Sequence, residues 1–151
     1  MSAIKSYFKE IINTIQWDDI IAFDNHPFAY RVIDDLYKKN IKISVISYST
    51  DIIRYVSKYT DFNIIIPNGI VNSANHHIIG EDVKQTFAKY QIRYYFVTAT
   101  HMNEEKLYQD NMTIAHIQSA LNERAEQILL MNRPEIISLD LQHNYSEIGC
   151  F

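Results

Sequence analysis

The chain has 151 residues, 47% of them apolar and 21% charged, a balance that excludes a disordered tail or a fibre and gives enough length for one domain with its own core. Its net charge is −4 and no Lys/Arg cluster is present, which argues against direct phosphate-backbone binding. The single cysteine, Cys150, excludes an internal disulfide framework and a thiolate zinc site and fits a reducing cytoplasm.

Ile4, Phe8, Ile11, Ile12 and Ile15 form one apolar stripe, with Lys5, Lys9 and Glu10 opposite, which predicts an N-terminal covering helix over 1–16 and neither a signal peptide nor a membrane span. An α/β core is expected over 17–141. DDIIAFD at 18–24 reads as a strand buried on both faces in a parallel sheet. Pro27 opens a helix with Phe28, Val32 and Leu36 on one face. KISVIS at 42–47 is the next strand, followed by a helix capped by Ser49 or Thr50, with Asp51 in its first turn and Ile52, Val56 and Tyr59 inward.

FNIII at 62–66 is a third strand, ending in Pro67-Asn68-Gly69, and 69–80 reads as a hairpin or short edge pair around Asn-Ser-Ala-Asn. A helix is expected from Glu81 to about Tyr90, a strand at 93–98, a polar loop at 101–110, and a helix capped by Asn111 with Ile114, Ile117 and Leu121 inward. ILLM at 128–131 is a strand, 136–141 adds one more, and 142–151 reads as a frayed tail. The alternation of strands and helices predicts a Rossmann-like, doubly wound, mainly parallel α/β sheet flanked by helices.

The chemistry is bounded by elimination. The three glycines, Gly69, Gly80 and Gly149, all lie far from the first strand, so no dinucleotide or P-loop cradle is expected. Pro67 and Asn132-Arg133 stand where a phosphoacceptor domain needs a carboxylate and a lysine, and no G-x-S-x-G elbow is present. The six histidines lack metal-ligand spacing, and the eleven tyrosines fall at core spacings. No catalytic residue, metal or cofactor is therefore expected.

Open α/β sheets bind ligands at the carboxyl ends of their strands. Here those ends carry Asp24, Asn25 and His26; Ser47 and Ser49; Asn68 and Gly69; and Thr98, followed by Ala99, Thr100 and His101. These are the candidate ligand residues, and the helices opening after Asn25 and Ser49 are expected to aim N–H groups at a phosphate or carboxylate. The structural alternative is that such residues serve only as caps and turns.

The order of segments from Trp17 to about Glu135 resembles the C-terminal effector-sensing domain of DeoR-type transcriptional regulators. DDIIAFDN, ISVISYSTDIIRYVSKYTDFNIIIPNGIV, Gly80 and ALNERAEQILLMN carry the resemblance. It implies a fold like that of ribose-phosphate isomerase, glucosamine-phosphate isomerase and CoA transferase, a small-molecule effector such as a sugar phosphate, a homo-oligomeric cytoplasmic regulator, and DNA contacts made only through a separate helix-turn-helix domain absent here. The chain departs from the family pattern at Asn25, His26 and Pro27, where the family has a Gly-Thr-Thr phosphate cradle. It departs again near His116 and Gln118 and at about Glu135, where family cations or acids are replaced. Two alternatives follow: a degenerate dimerisation module whose crevice is filled by His26, Tyr48 and His101, and an isomerase-like enzyme with Asp24 as base.

Overall fold

The computed structural model describes residues 2–151, with side chains from Tyr7 onward; the expected inward and outward placements of Ile4 and Lys5 lie outside the described side chains. Helix α1 (Ser2–Thr14) buries Phe8, Ile11 and Ile12, and Ile15 just beyond it. Strands β1 (Ile20–Phe23), β2 (Ser44–Ile46), β3 (Asn63–Ile65), β6 (Ile92–Val97) and β9 (Ala125–Leu130) form one parallel sheet in the order β3-β2-β1-β6-β9. The order reverses between β1 and β6, as in a Rossmann-like doubly wound fold.

Side chains alternate across this sheet because successive Cβ atoms point to opposite faces. Ile21, Phe23, Tyr94 and Phe96 face one core, shared with α1, α2 (Pro27–Lys38) and α3 (Thr50–Tyr59). Ala22, Tyr95 and Val97 face the other, shared with α4 (Val83–Phe87) and α5 (Met112–Arg124). Helix starts follow the sequence closely. Pro27 stands at N1 of α2, Ser49 caps α3 through Ile52 N–H (3.4 Å), and Asn111 caps α5 through Ile114 N–H (3.1 Å).

Strands β4 (Gly69–Asn72) and β5 (His77–Gly80) form the expected hairpin, and it folds back over the start of α3. Ile78 N–H donates to Tyr48 C=O (2.8 Å) and Thr50 N–H to His76 C=O (2.9 Å). Gly69 pairs with Gly80, and a Cβ on Gly69 would lie 1.9 Å from the Ile79 carbonyl oxygen. Gly69→Ala is therefore expected to cost about 1–3 kcal/mol, the scale of overpacking, read as a lower urea midpoint; an unchanged midpoint would contradict this geometry.

Five expectations are corrected. Tyr59 is 53% exposed, not inward, because α3 buries only Ile52 and Val56 against the sheet. Helix α4 is one short turn over Val83–Phe87, and Asp82 stands at its N-cap without a side-chain cap bond. The segment 101–110 is a hairpin, β7 (His101–Met102) and β8 (Lys106–Gln109), that buries Leu107 and Tyr108. Beyond β10 (Glu135–Ile136) the chain forms a 3₁₀ turn (Leu139–Asn144) instead of a strand through 141.

The tail is not frayed: β11 (Ser146–Cys150) pairs antiparallel with β8, and Ile148 is 1% exposed. The buried isoleucine and the ladder bonds hold it against the entropy that frees most termini. A second sheet, β10-β7-β8-β11, results.

Candidate functional site

The strand order reverses at β1 and β6, and Asp24 stands one residue past β1 at that point. Its N–H donates to Phe96 C=O (2.8 Å), and alternation directs its side chain toward α5. The carboxylate is 0% exposed. It accepts hydrogen bonds from Tyr95 Oη (2.5 Å), Thr98 N–H (2.7 Å) and Gln118 Nε2 (2.9 Å), with Thr98 Oγ1 at 3.4 Å. No Lys, Arg or His pairs with it among the described residues.

Burial without a cation raises the Asp24 pKa from 3.8 to about 6, because desolvation outweighs the hydrogen bonds that favour the charge. The same burial, together with the Asp24 charge, pushes the Tyr48 and Tyr95 phenols well above their ordinary value, so both remain protonated. Gln118 also donates to Thr98 C=O (2.7 Å), which ties α5 to the end of β6. Asn132, beyond β9, holds both Ala99 N–H (3.1 Å) and Ala99 C=O (2.7 Å).

The other candidates divide between cluster and scaffold. Ser47 is buried and bridges two strand ends, donating to Phe23 C=O (2.7 Å) and accepting from Ser49 N–H (3.1 Å). Ser49 is buried as the cap of α3 and bridges to His77. Asn25 is exposed, accepting from Tyr30 Oη (2.6 Å) and reaching Asp51 Oδ2 (3.4 Å). Thr98 is half-buried beside Asp24. Asn68 and Gly69 are exposed at the base of the β4–β5 hairpin, where Gly69 pairs with Gly80.

The expected anion cradle is not what these helix starts present. Pro27 has no N–H, and His26 takes the next two groups of α2, accepting from Phe28 N–H at Nδ1 (3.1 Å) and from Ala29 N–H at its carbonyl (2.9 Å). Burial holds the His26 pKa below its ordinary value, which suits a neutral ring that accepts at Nδ1. At α3, the hairpin occupies Thr50 N–H and Ser49 occupies Ile52 N–H.

Tyr95, Gln118 and Asn132 were not among the residues expected at the site. Tyr95 looks like any strand aromatic. Gln118 carried a signal: it is the one strongly polar side chain beside Ile114, Ile117 and Leu121 on the buried face of α5.

With this geometry the family can be assigned. Residues 8–133 match the model of the DeoR C-terminal sensor domain. The chain belongs to the DeoR sensor-domain family. A search of curated proteins returned no match. Asp24 lies just past β1, where the strand order of the sheet reverses. Among the described residues no helix is long and apolar enough to cross a membrane.

Proposed function

We propose that this DeoR sensor domain recognises a small hydroxylated metabolite at the carboxyl ends of β1 and β6, and that Asp24 is its sensing group. One observation carries the reading. Asp24 is a fully buried carboxylate with a pKa near 6 and, among the described residues, no ion-pair partner, an arrangement that weakens the fold at neutral pH and recurs at functional sites. Gln118 stands near the place of a family charge and supplies a neutral donor, so the cluster suits the hydroxyls of a sugar better than a phosphate group.

Binding would bias a regulator of sugar metabolism by favouring one of two conformations of the cluster, without turnover. An isomerase would need a base open to substrate and a cation for its phosphate. Asp24 is closed, and the Phe28, Ala29, Thr50 and Ile52 N–H groups at the two helix starts have internal partners. The regulator would act in the cytoplasm as a homo-oligomer and meet DNA through an attached helix-turn-helix domain.

A degenerate dimerisation module is the second reading, favoured by the saturation of Asp24, Ser47 and Ser49 and by buried Tyr48. A thermal-shift screen against sugars, sugar phosphates and nucleotides separates the two. A metabolite at a hundredfold excess over its Kd is expected to stabilise the fold by about 2.7 kcal/mol, and Asp24→Asn to abolish that shift. No shift with any compound would favour the dimerisation module.

A further inference from the structure

Among the described residues no Lys, Arg or His pairs with Asp24, yet a nearby groove on α2 and α3 is lined by two cations. Tyr30 of α2 and Asp51, Arg54, Tyr55, Lys58 and Tyr59 of α3 line a cavity of about 320 Å³, within the range that holds a small ligand. The α3 residues recur at i, i+3, i+4, i+7 and i+8, so they form its outer face. Asn25, one residue from Asp24, joins the two sites: it accepts from Tyr30 Oη (2.6 Å) and reaches Asp51 (3.4 Å).

The charges in this groove are unevenly satisfied. Asp51 is engaged by His76 Nδ1 (2.9 Å) from the β4–β5 turn. Among the described residues, Arg54 and Lys58 join no ion pair. The rings are ordered beside them. Tyr30 meets Tyr55 edge-on at 4.7 Å, Tyr55 lies 4.8 Å from Tyr59, and Lys58 Nζ lies 5.3 Å from the Tyr59 ring centre. Tyr55 donates to Asp34 (2.7 Å), which pushes its pKa up to about 12 and keeps the hydroxyl protonated.

We propose that this groove binds the anionic part of a hydroxylated ring compound, with Arg54 and Lys58 on the anion and the tyrosine rings against the sugar. The inference rests on the sensor reading, and it moves the anion from the helix N-termini to the face of α3. A phosphate is favoured over a carboxylate because Arg54 and Lys58, two separate cations, line one cavity and together match a doubly charged anion. A sugar phosphate can thus be sensed by a domain whose strand-end cradle is already filled by His26 and the β4–β5 hairpin.

The test is calorimetric titration of the whole chain with a panel of hexose phosphates, their parent hexoses and inorganic phosphate. The comparison set is wild type, Arg54→Ala/Lys58→Ala, the charge-matched surface control Lys9→Ala/Lys39→Ala, and Asp24→Asn. The expected result is that a hexose phosphate binds and its parent hexose binds about tenfold or more weakly. The groove variant should lose about tenfold or more, the scale of one charge-assisted hydrogen bond, and the control should not. Binding lost in Asp24→Asn but intact in the groove variant overturns this inference and leaves the sensor reading standing. Failure of every phosphate to bind overturns it as well. A groove variant that keeps metabolite affinity but lowers the molar mass in solution makes the groove a subunit interface and likewise overturns it.

Discussion

Asp24→Asn is expected to stabilise the protein by about 3 kcal/mol at pH 7 and to leave its stability near pH 4 almost unchanged. The folded-state pKa is about 6 against 3.8 for the free side chain, so the folded protein holds the proton more tightly than the unfolded chain. The stabilising share of the neutral carboxyl is complete below about pH 4, declines as pH rises toward 6, and is gone above it. A shift of roughly two units, at 1.36 kcal/mol each, sets the size of the effect. An asparagine amide fits the same partners: its oxygen accepts from Thr98 N–H and Gln118, and its nitrogen donates to Tyr95 Oη, which rotates to accept. Urea midpoints from pH 4 to 8 should therefore slope downward between 4 and 6 for wild type more than for the variant. Parallel curves would mean that Asp24 is not a strained carboxylate. Asp24→Ala should behave differently at pH 4.5, losing about 2 kcal/mol or more by leaving Tyr95 Oη and Thr98 N–H without an acceptor.

Deleting Ser146–Phe151 is expected to cost about 4 kcal/mol or more and to lower Tm by roughly 10 °C. The deletion removes β11 from β8, takes away the buried Ile148 side chain and opens one side of α5. Leu107 and Leu121 belong to the same core and would be exposed by it. A frayed terminus would cost no more than about 0.5 kcal/mol, so thermal unfolding followed by circular dichroism separates the two cases cleanly.

Much of the architecture was legible because local and global signals agree. The run ending at Asp24, Pro27 at a helix start, Ser49 and Asn111 as caps, and the β4–β5 hairpin each have a local cause that the tertiary structure preserves. The second sheet was not legible. In 101–110 only Leu107 and Tyr108 are buried apolar residues, set between Lys106 and Gln109, and their partner β11 lies far along the chain. Tail residues Ser146–Cys150 carry one apolar anchor, Ile148, too little for a periodic signal.

The candidate site was half legible for a related reason. Chain position marked Asp24, Asn25 and Thr98, because strand ends are visible in a sequence. Which helix N–H groups stay available depends on His26 turning its own ring onto Phe28 and on His76 reaching Thr50, contacts that no pattern encodes. Gln118 reaches Asp24 across 94 residues of chain, and the groove that Arg54 and Lys58 line needs Tyr30 of a different helix to form.

The most direct test of the sensor account is amide chemical-shift mapping of the isotope-labelled chain with the metabolite that stabilises it best. The account predicts saturable changes centred on Asn25, Thr98 and Gln118, all lost in Asp24→Asn. Changes confined to residues away from the ends of β1 and β6, or persisting in Asp24→Asn, would contradict it.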